Sequence, residues 1–481
     1  MEKNGHGANG HDPKAAAAAL ALGSPGHSGP EGGRKLFQFL GAGAACLFAV
    51  CMGTTMGWTS AANRLLKSGE ITDTEYSLIG AFMPLGALCA ALPYRPRRGQ
   101  VGPQEHDARA QPHPAWMIIV ARFIIGAAIG SISMIAPLYS NEIAHKSVRG
   151  TLGGFFQFLH TCGVLFAYLL GWAITGPSMT WISVICGCVP LVAGVTFFFF
   201  PDTPTWYLQQ GRNDEARRSL IKFRGHDYPE DLLQAELDDI INELNAAAAN
   251  KKTLKQAFTT KEAKLGLGLS MTLMVVQQLS GVSAVVFYAA KIFKSAGSTL
   301  SEDLAAIVMG ACLAGATLVS LFLVHRYGRR LLLLVSGAAC FICNVILGIY
   351  LLLLKNNGTE AMEPYGLIPI VTMSLFMVLF SFGYGPIPWT YMTEVFLIDI
   401  RGPAVSVATI TNWIMVFIST VGFQPLQDAV GIYTTFFIFA AVVFAGSVVV
   451  LLFLVETKDK TPQEIQEELR RGRRRLCSGS A

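Results

Sequence analysis

Apolar runs of about 20 residues recur along the chain between short polar or charged segments, and that length is what an α-helix needs to cross a hydrocarbon core roughly 30 Å thick. Eleven runs qualify: 36–57, 76–92, 116–139, 151–172 and 179–200, then 266–290, 304–324, 331–354, 367–390, 404–423 and 433–455, with 76–92 marginal in length. Five precede a charged segment at 211–264 and six follow it. The pattern predicts an all-α, polytopic membrane helix bundle in two halves, with domains at 36–200 and 265–456, a linker at 201–264 and a basic tail at 457–481.

Composition narrows the function. With 52% hydrophobic and 14% charged residues, no large soluble catalytic domain fits. No nucleophile elbow, metal-ligand cluster or phosphate loop is visible, so neither enzyme chemistry, a cofactor, a metal nor nucleic acid binding is expected. The expected partners are the lipid bilayer and a small molecule, and the oligomeric state is not legible. Residues 1–35 are rich in Gly, His and Ala and read as a disordered tail, not a signal peptide. Nine of the ten cysteines lie in the apolar runs, where small apolar packing explains them better than disulfides or metal.

Positive charge orients the spans, because loops rich in Lys and Arg stay in the cytoplasm. Arg34 and Lys35, the loop 146–149, the segment 211–264, the loop 326–330, Arg401 and the tail 458–475 all fall on that side. Asn357 opens the sequon Asn357, Gly358, Thr359, and glycosylation there requires the outer side. Both termini are then cytoplasmic and the expected location is the plasma membrane. Two cytoplasmic termini demand an even number of crossings, and eleven is odd. The anomaly lies at 94–115, where the text turns polar although parity requires a further span.

Within the linker, Leu233, Leu237, Ile240, Ile241 and Leu244 recur at helical spacing among acidic residues and predict an amphipathic helix. Its apolar stripe suits either a latch under the bundle or a solvated surface helix.

Two motifs stand at corresponding places in the halves. Pro137 to Glu142 is followed by Arg149 and Gly150, and Gly385 to Trp389 leads to Glu394, Arg401 and Gly402. The Glu-to-Arg spacing of seven is the same in both, as an internal repeat would leave it. Arg326, Gly328, Arg329 and Arg330 follow the seventh run, and Gln277, Gln278, Leu279, Ser280 and Gly281 lie in the sixth. This set resembles the sugar porter family of the major facilitator superfamily over nearly all of 36–456, including the closing segment Glu456, Thr457, Lys458. Gly57 to Ser60 and Phe382 to Pro386 look most like arthropod facilitated trehalose transporters, with animal facilitative glucose transporters next.

The resemblance implies the major facilitator fold, two six-helix halves, and sugar contacts at Gln157, Gln277, Gln278, Ser283, Trp389 and Asn412. The chemistry agrees: buried amides offer the donors and acceptors that sugar hydroxyls need, and an unpaired amide in an apolar helix costs a few kcal/mol. On a straight helix Ser283 would point away from Gln277, so Gly281 between them predicts a local break. Trp389, after Gly385, Pro386 and Pro388, supplies a flat apolar surface on a bendable helix. Glu142 with Arg149, and Glu394 with Arg401, Arg329 and Arg330, resemble the family's cytoplasmic charge network, whose pairs would hold the halves together on that side.

Family proton symporters carry an acid in the first span; 36–57 has none, which leaves Arg122 without that partner and favours uniport. Three departures bear on substrate and gating: Ser283 where Asn is usual, Leu313 where Asn or Gln is common, and His325 for the Asp of the D-R-x-G-R-R loop. The function implied is facilitative sugar transport by alternating access, trehalose preferred and glucose the alternative. A non-transporting sensor or defective transporter is the reading that a missing third helix would favour. A porter of this family should carry G-x-x-x-D-R-x-G-R-K after its second span. Codons for 95–104, shifted forward by one nucleotide, can spell it, and those for 105–110 can then spell N-T-M-L-A-L. The expectation is that 94–115 is a wrong reading frame of the third helix; a transcript in frame with the written residues would overturn it.

Overall fold

The computed structural model describes residues 35–91, 115–145, 148–174, 179–249, 260–296, 300–396, 398–458, 460 and 464–470. These fold into helices with no strand among the described residues. The first group is α1 (Lys35–Ala61), short α2 (Asn63–Lys67), α3 (Asp73–Ala91), α4 (Ala115–Ile143), α5 (Arg149–Ala173) and α6 (Thr180–Phe198). The linker forms α7 (Pro204–Gln209), α8 (Asn213–Arg224) and α9 (Glu230–Ala249). The second group is α10 (Lys261–Gln277), α11 (Ser283–Ser295), α12 (Glu302–Arg326), α13 (Arg329–Met362), α14 (Ile368–Phe382), α15 (Ile387–Glu394), α16 (Ile398–Val430) and α17 (Ile432–Phe453). Ten described segments are long and apolar enough to cross a membrane, and the remaining run forms the 19-residue α3. Apart from Ala115, which begins α4, the anomalous segment 94–115 lies outside the described residues.

Two runs are broken, one at the Gly281 break expected from the sequence and one that read as continuous. The run 266–290 becomes α10, a π turn at Gln278–Val282 and α11, and 367–390 divides at Gly383 into α14 and α15. Gly281 takes φ +96°, the conformation that glycine adopts without penalty, and a Cβ there would also stand 2.6 Å from the Phe439 ring.

Helix approach in the first group is set by glycine. Lipid offers no hydrophobic drive between helices, so close van der Waals contact between backbones has to hold them. A Cβ on Gly53 would stand 2.0 Å from the His160 carbonyl oxygen, which shows how closely α1 lies on α5. Gly86 and Gly126 do the same for α3 and α4, each with a Cβ position 2.0 Å from a carbonyl of the facing helix. Gly53→Val should therefore abolish the monodisperse peak of detergent-extracted protein in size-exclusion chromatography. Gly43→Val, on the same helix with nothing within 4 Å, should keep it; equal profiles would refute the packing account.

The halves meet where α1 faces α11, α3 faces α16, and α5 faces α12. The linker docks at the end of the bundle where α1 begins and α4 stops, called here the linker face. Leu233 and Leu237 of α9 bury against Ala216 and Leu220 of α8, so this part of the stripe packs within the linker. Arg224, fully buried, donates to both Glu236 carboxylate oxygens at 3.0 and 2.6 Å and to the Ile143 carbonyl at 2.9 Å. Gln38 completes the joint, donating to the Phe223 carbonyl and accepting from the His145 backbone. The basic tail also contributes structure: a helix at 464–470 buries Ile465 and Leu469 in the main core, and Gln466 donates to the Val395 carbonyl at 2.6 Å.

Candidate functional site

The break after α10 gathers four of the six expected sugar-contact residues. Gln277 donates to the carbonyls of Tyr384 at 2.7 Å and Gly385 at 2.8 Å, both freed by the bend between α14 and α15. Its own amide oxygen accepts from Asn412 of α16 at 3.0 Å and from Gln278 at 3.4 Å. The π turn swings Ser283 back along the helix, so that its hydroxyl donates to the Gln278 amide oxygen at 2.5 Å. All four side chains are buried, and in this conformation they hydrogen-bond one another, as buried amides must. A polyol can enter this cluster by exchanging its hydroxyls for those bonds, one for one, at little net cost.

Trp389 is half-buried on α15, packed with Met274, Met392 and Ala408. The Met274 sulfur accepts from Asn412 at 3.6 Å, which links the indole to the amide cluster. Gln157 is half-buried on α5 in the other half, outside that cluster. Asn344 was missed in the sequence. It donates to the Ser280 carbonyl at 3.2 Å and satisfies one of the backbone groups that the π turn leaves open. Leu313 is buried in the main core.

On the linker face the charge network centres on Arg329. Arg329 donates to Glu394 at 2.9 Å, and the Thr457 hydroxyl donates to the other Glu394 oxygen at 2.5 Å. Arg401 donates to the Phe396 carbonyl at 3.4 Å. Glu456 accepts the backbone N–H groups of Arg329, Arg330, Thr457 and Lys458 at 2.8 to 3.1 Å. Burial alone would raise the Glu456 pKa; the four backbone donors outweigh it and hold the carboxyl below the usual range. Arg330 reaches the Leu451 carbonyl at 2.5 Å. The Thr203 hydroxyl hydrogen-bonds Glu142, while the side chains of Arg149 and His325 lie outside the described residues. The Arg329–Glu394 pair joins α13 to α15, two helices of the same half.

Among the described residues, two ion pairs that join the halves lie at the opposite end. Lys291 of α11 pairs with Asp73 of α3 at 2.5 Å, and Arg64 of α2 with Asp303 of α12 at 3.1 Å. Beneath them Tyr288 meets Tyr76 edge to face at 5.4 Å and stacks on Phe423 at 5.4 Å. Tyr168 donates to the Val286 carbonyl at 2.7 Å and the Ala290 backbone to Ser60 at 3.1 Å. None of the four charged residues was picked out in the sequence. Their signal was opposite charge at the ends of runs from different halves, which is readable only once those ends are known to be neighbours.

Arg122 is buried between α4 and α1. It donates to the Thr55 carbonyl at 2.7 Å and to the Thr59 hydroxyl, and lies 4.5 Å from the centroid of Trp58. Neutral oxygens and an aromatic face thus surround the guanidinium where an acid of α1 would have stood. Asn357 is exposed, about 40 Å along α13 from Arg329 at 1.5 Å per residue.

The model of a family described as sugar (and other) transporter matches residues 108–469. The chain is 32% identical over 460 residues to the facilitated trehalose transporter Tret1 of Bombyx mori, covering 92% of this chain and 89% of that protein. It is also 32% identical over 462 residues to Tret1 of Aedes aegypti, there covering 92% of this chain and 56% of the relative. Among solved structures, the xylose transporter XylE from E. coli in a partially occluded inward-open conformation superposes with a TM-score of 0.69 at 17% identity, covering 89% of this chain and 100% of that one. Its inward-open conformation gives 0.67 at 18% identity, covering 90% of this chain and 99% of that one.

Proposed function

The chain belongs to the sugar transporter family, and from that premise we propose that it is a facilitative uniporter working by alternating access, with trehalose preferred and glucose the alternative substrate. The observation that carries this reading is the buried cluster of Gln277, Gln278, Ser283 and Asn412, a set of neutral donors and acceptors matched to sugar hydroxyls. Trp389 provides an apolar face for a pyranose beside it, and Gln157 is the contact assigned to the other half. Glu142, Arg149, Arg329, Arg330, Glu394 and Arg401 form the gating group on the linker face, which is the cytoplasmic side. Asn357 is the glycosylation acceptor on the outer side. The protein sits in the plasma membrane with both termini inside.

Uniport is supported by the surroundings of Arg122. Proton coupling needs a carboxylate inside the bundle whose charge changes during the cycle. The described partners of Arg122 are a carbonyl, a hydroxyl and an indole, none of which titrates at physiological pH.

Uptake of labelled trehalose and of labelled glucose into oocytes, against water-injected controls, tests the assignment. Saturable uptake of trehalose above glucose, unchanged by a protonophore, is the expected result. Uptake that collapses with the proton gradient would overturn uniport. Surface-delivered protein that moves neither sugar would favour the sensor reading.

A further inference from the structure

We propose that Asp73 with Lys291 and Arg64 with Asp303 form a two-point electrostatic gate that closes the extracellular side, both pairs opening each time sugar enters from outside. The proposal rests on the alternating-access reading above. Each pair joins elements of different halves: α3 to α11, and α2 to α12. The two sites therefore clamp the interface at two separate points, above the Tyr76 and Tyr288 rings.

The arrangement of secondary partners distinguishes a gate from a structural staple. Lys291 also donates to Gln424 at 2.7 Å, a residue of its own half. Arg64 also donates to the carbonyls of Gly171 and Ile174, again in its own half. When the halves part, each cation keeps neutral oxygens beside it and gives up only its acid. The acids lose little too, since the Asp73 side chain is 60% exposed and that of Asp303 38%. Separation therefore strands no buried charge, which is the usual large cost of breaking an ion pair. Arg224 with Glu236 shows the contrast: its cation is 1% exposed and both partners lie within the linker. Pairs this accessible contribute modestly and are screened by salt, as a reversible latch requires.

The test uses a cysteine below the gate. Val286→Cys, on α11 and buried in this structure, is labelled on intact cells with a membrane-impermeant methanethiosulfonate, and the rate is counted per surface-biotinylated molecule over the same chain without that cysteine. Adding Asp73→Asn and Asp303→Asn should raise the labelling rate about two- to thirtyfold, the range expected for losing two exposed pairs. The charge swap Asp73→Lys with Lys291→Asp should return it toward the starting rate. Raising external salt should accelerate labelling of the unneutralised chain and leave the neutralised one unchanged, an arm that needs no gate variant to fold. Equal rates with and without the two acids would overturn the proposal, as would an acceleration that the swap does not reverse. Labelling is read without sugar, so failure of sugar transport and failure of the gate are separately visible.

Discussion

Gln277→Ala should weaken sugar binding about five- to hundredfold, whereas Leu279→Ala, two positions along, should leave it within about twofold. The glutamine is the hub of the polar cluster. It donates to the carbonyls of Tyr384 and Gly385 and accepts from Asn412 and Gln278. Its removal deprives the sugar of an amide and leaves the carbonyls at the bend between α14 and α15 without a donor. Each unmade neutral hydrogen bond costs about 0.5 to 1.5 kcal/mol, so two together give about 1 to 3 kcal/mol, which sets the predicted range. Gln278→Ala removes a side chain with fewer partners and should fall between the two. Equilibrium binding of labelled trehalose to purified protein reads all three. Equal affinities would confine the amides to packing.

Arg224→Ala should undock the linker. The arginine is the one buried cation of α8, and it ties α9 through Glu236 and α4 through the Ile143 carbonyl. Breaking a buried pair by deleting one partner costs about 3 to 5 kcal/mol. The Glu236 side chain is 23% exposed and can recover some hydration, so the expected loss lies toward the lower end. Limited proteolysis of the purified protein should cut within 211–249 many times faster in the variant. Arg224→Lys should rescue little, because an ammonium cannot replace the fork that holds both Glu236 oxygens. An unchanged cleavage rate would show that the apolar contacts of Leu233 and Leu237 hold the linker by themselves.

The gate residues show how far a linear pattern reaches. Glu394 and Arg329 carried a recognisable motif, and the structure pairs them. The repeat of Glu and Arg at a spacing of seven suggested Arg401 as a partner of Glu394, with Arg329 beside it, and the arginine seen to donate to Glu394 is Arg329 of another helix, 65 positions away. Spacing along one chain reports repetition; which cation fills a carboxylate is decided by which helix ends converge. The clamps at the other face carried no motif at all, and Asp73 and Lys291 meet across 218 positions.

The sequence by itself determined the long apolar helices, the charged linker that divides them, the break at Gly281 and the polar character of the residues around it. These follow from run length against bilayer thickness, from glycine's backbone freedom, and from the cost of burying an unpaired amide. The tertiary structure alone decided that Ser283 returns to Gln278, that the linker is pinned by a buried arginine, and that two ion pairs join the halves opposite the linker face. Those outcomes depend on the rotation and approach of helices distant in sequence, fixed by close packing at glycines such as Gly53 and Gly86, and no local pattern encodes them.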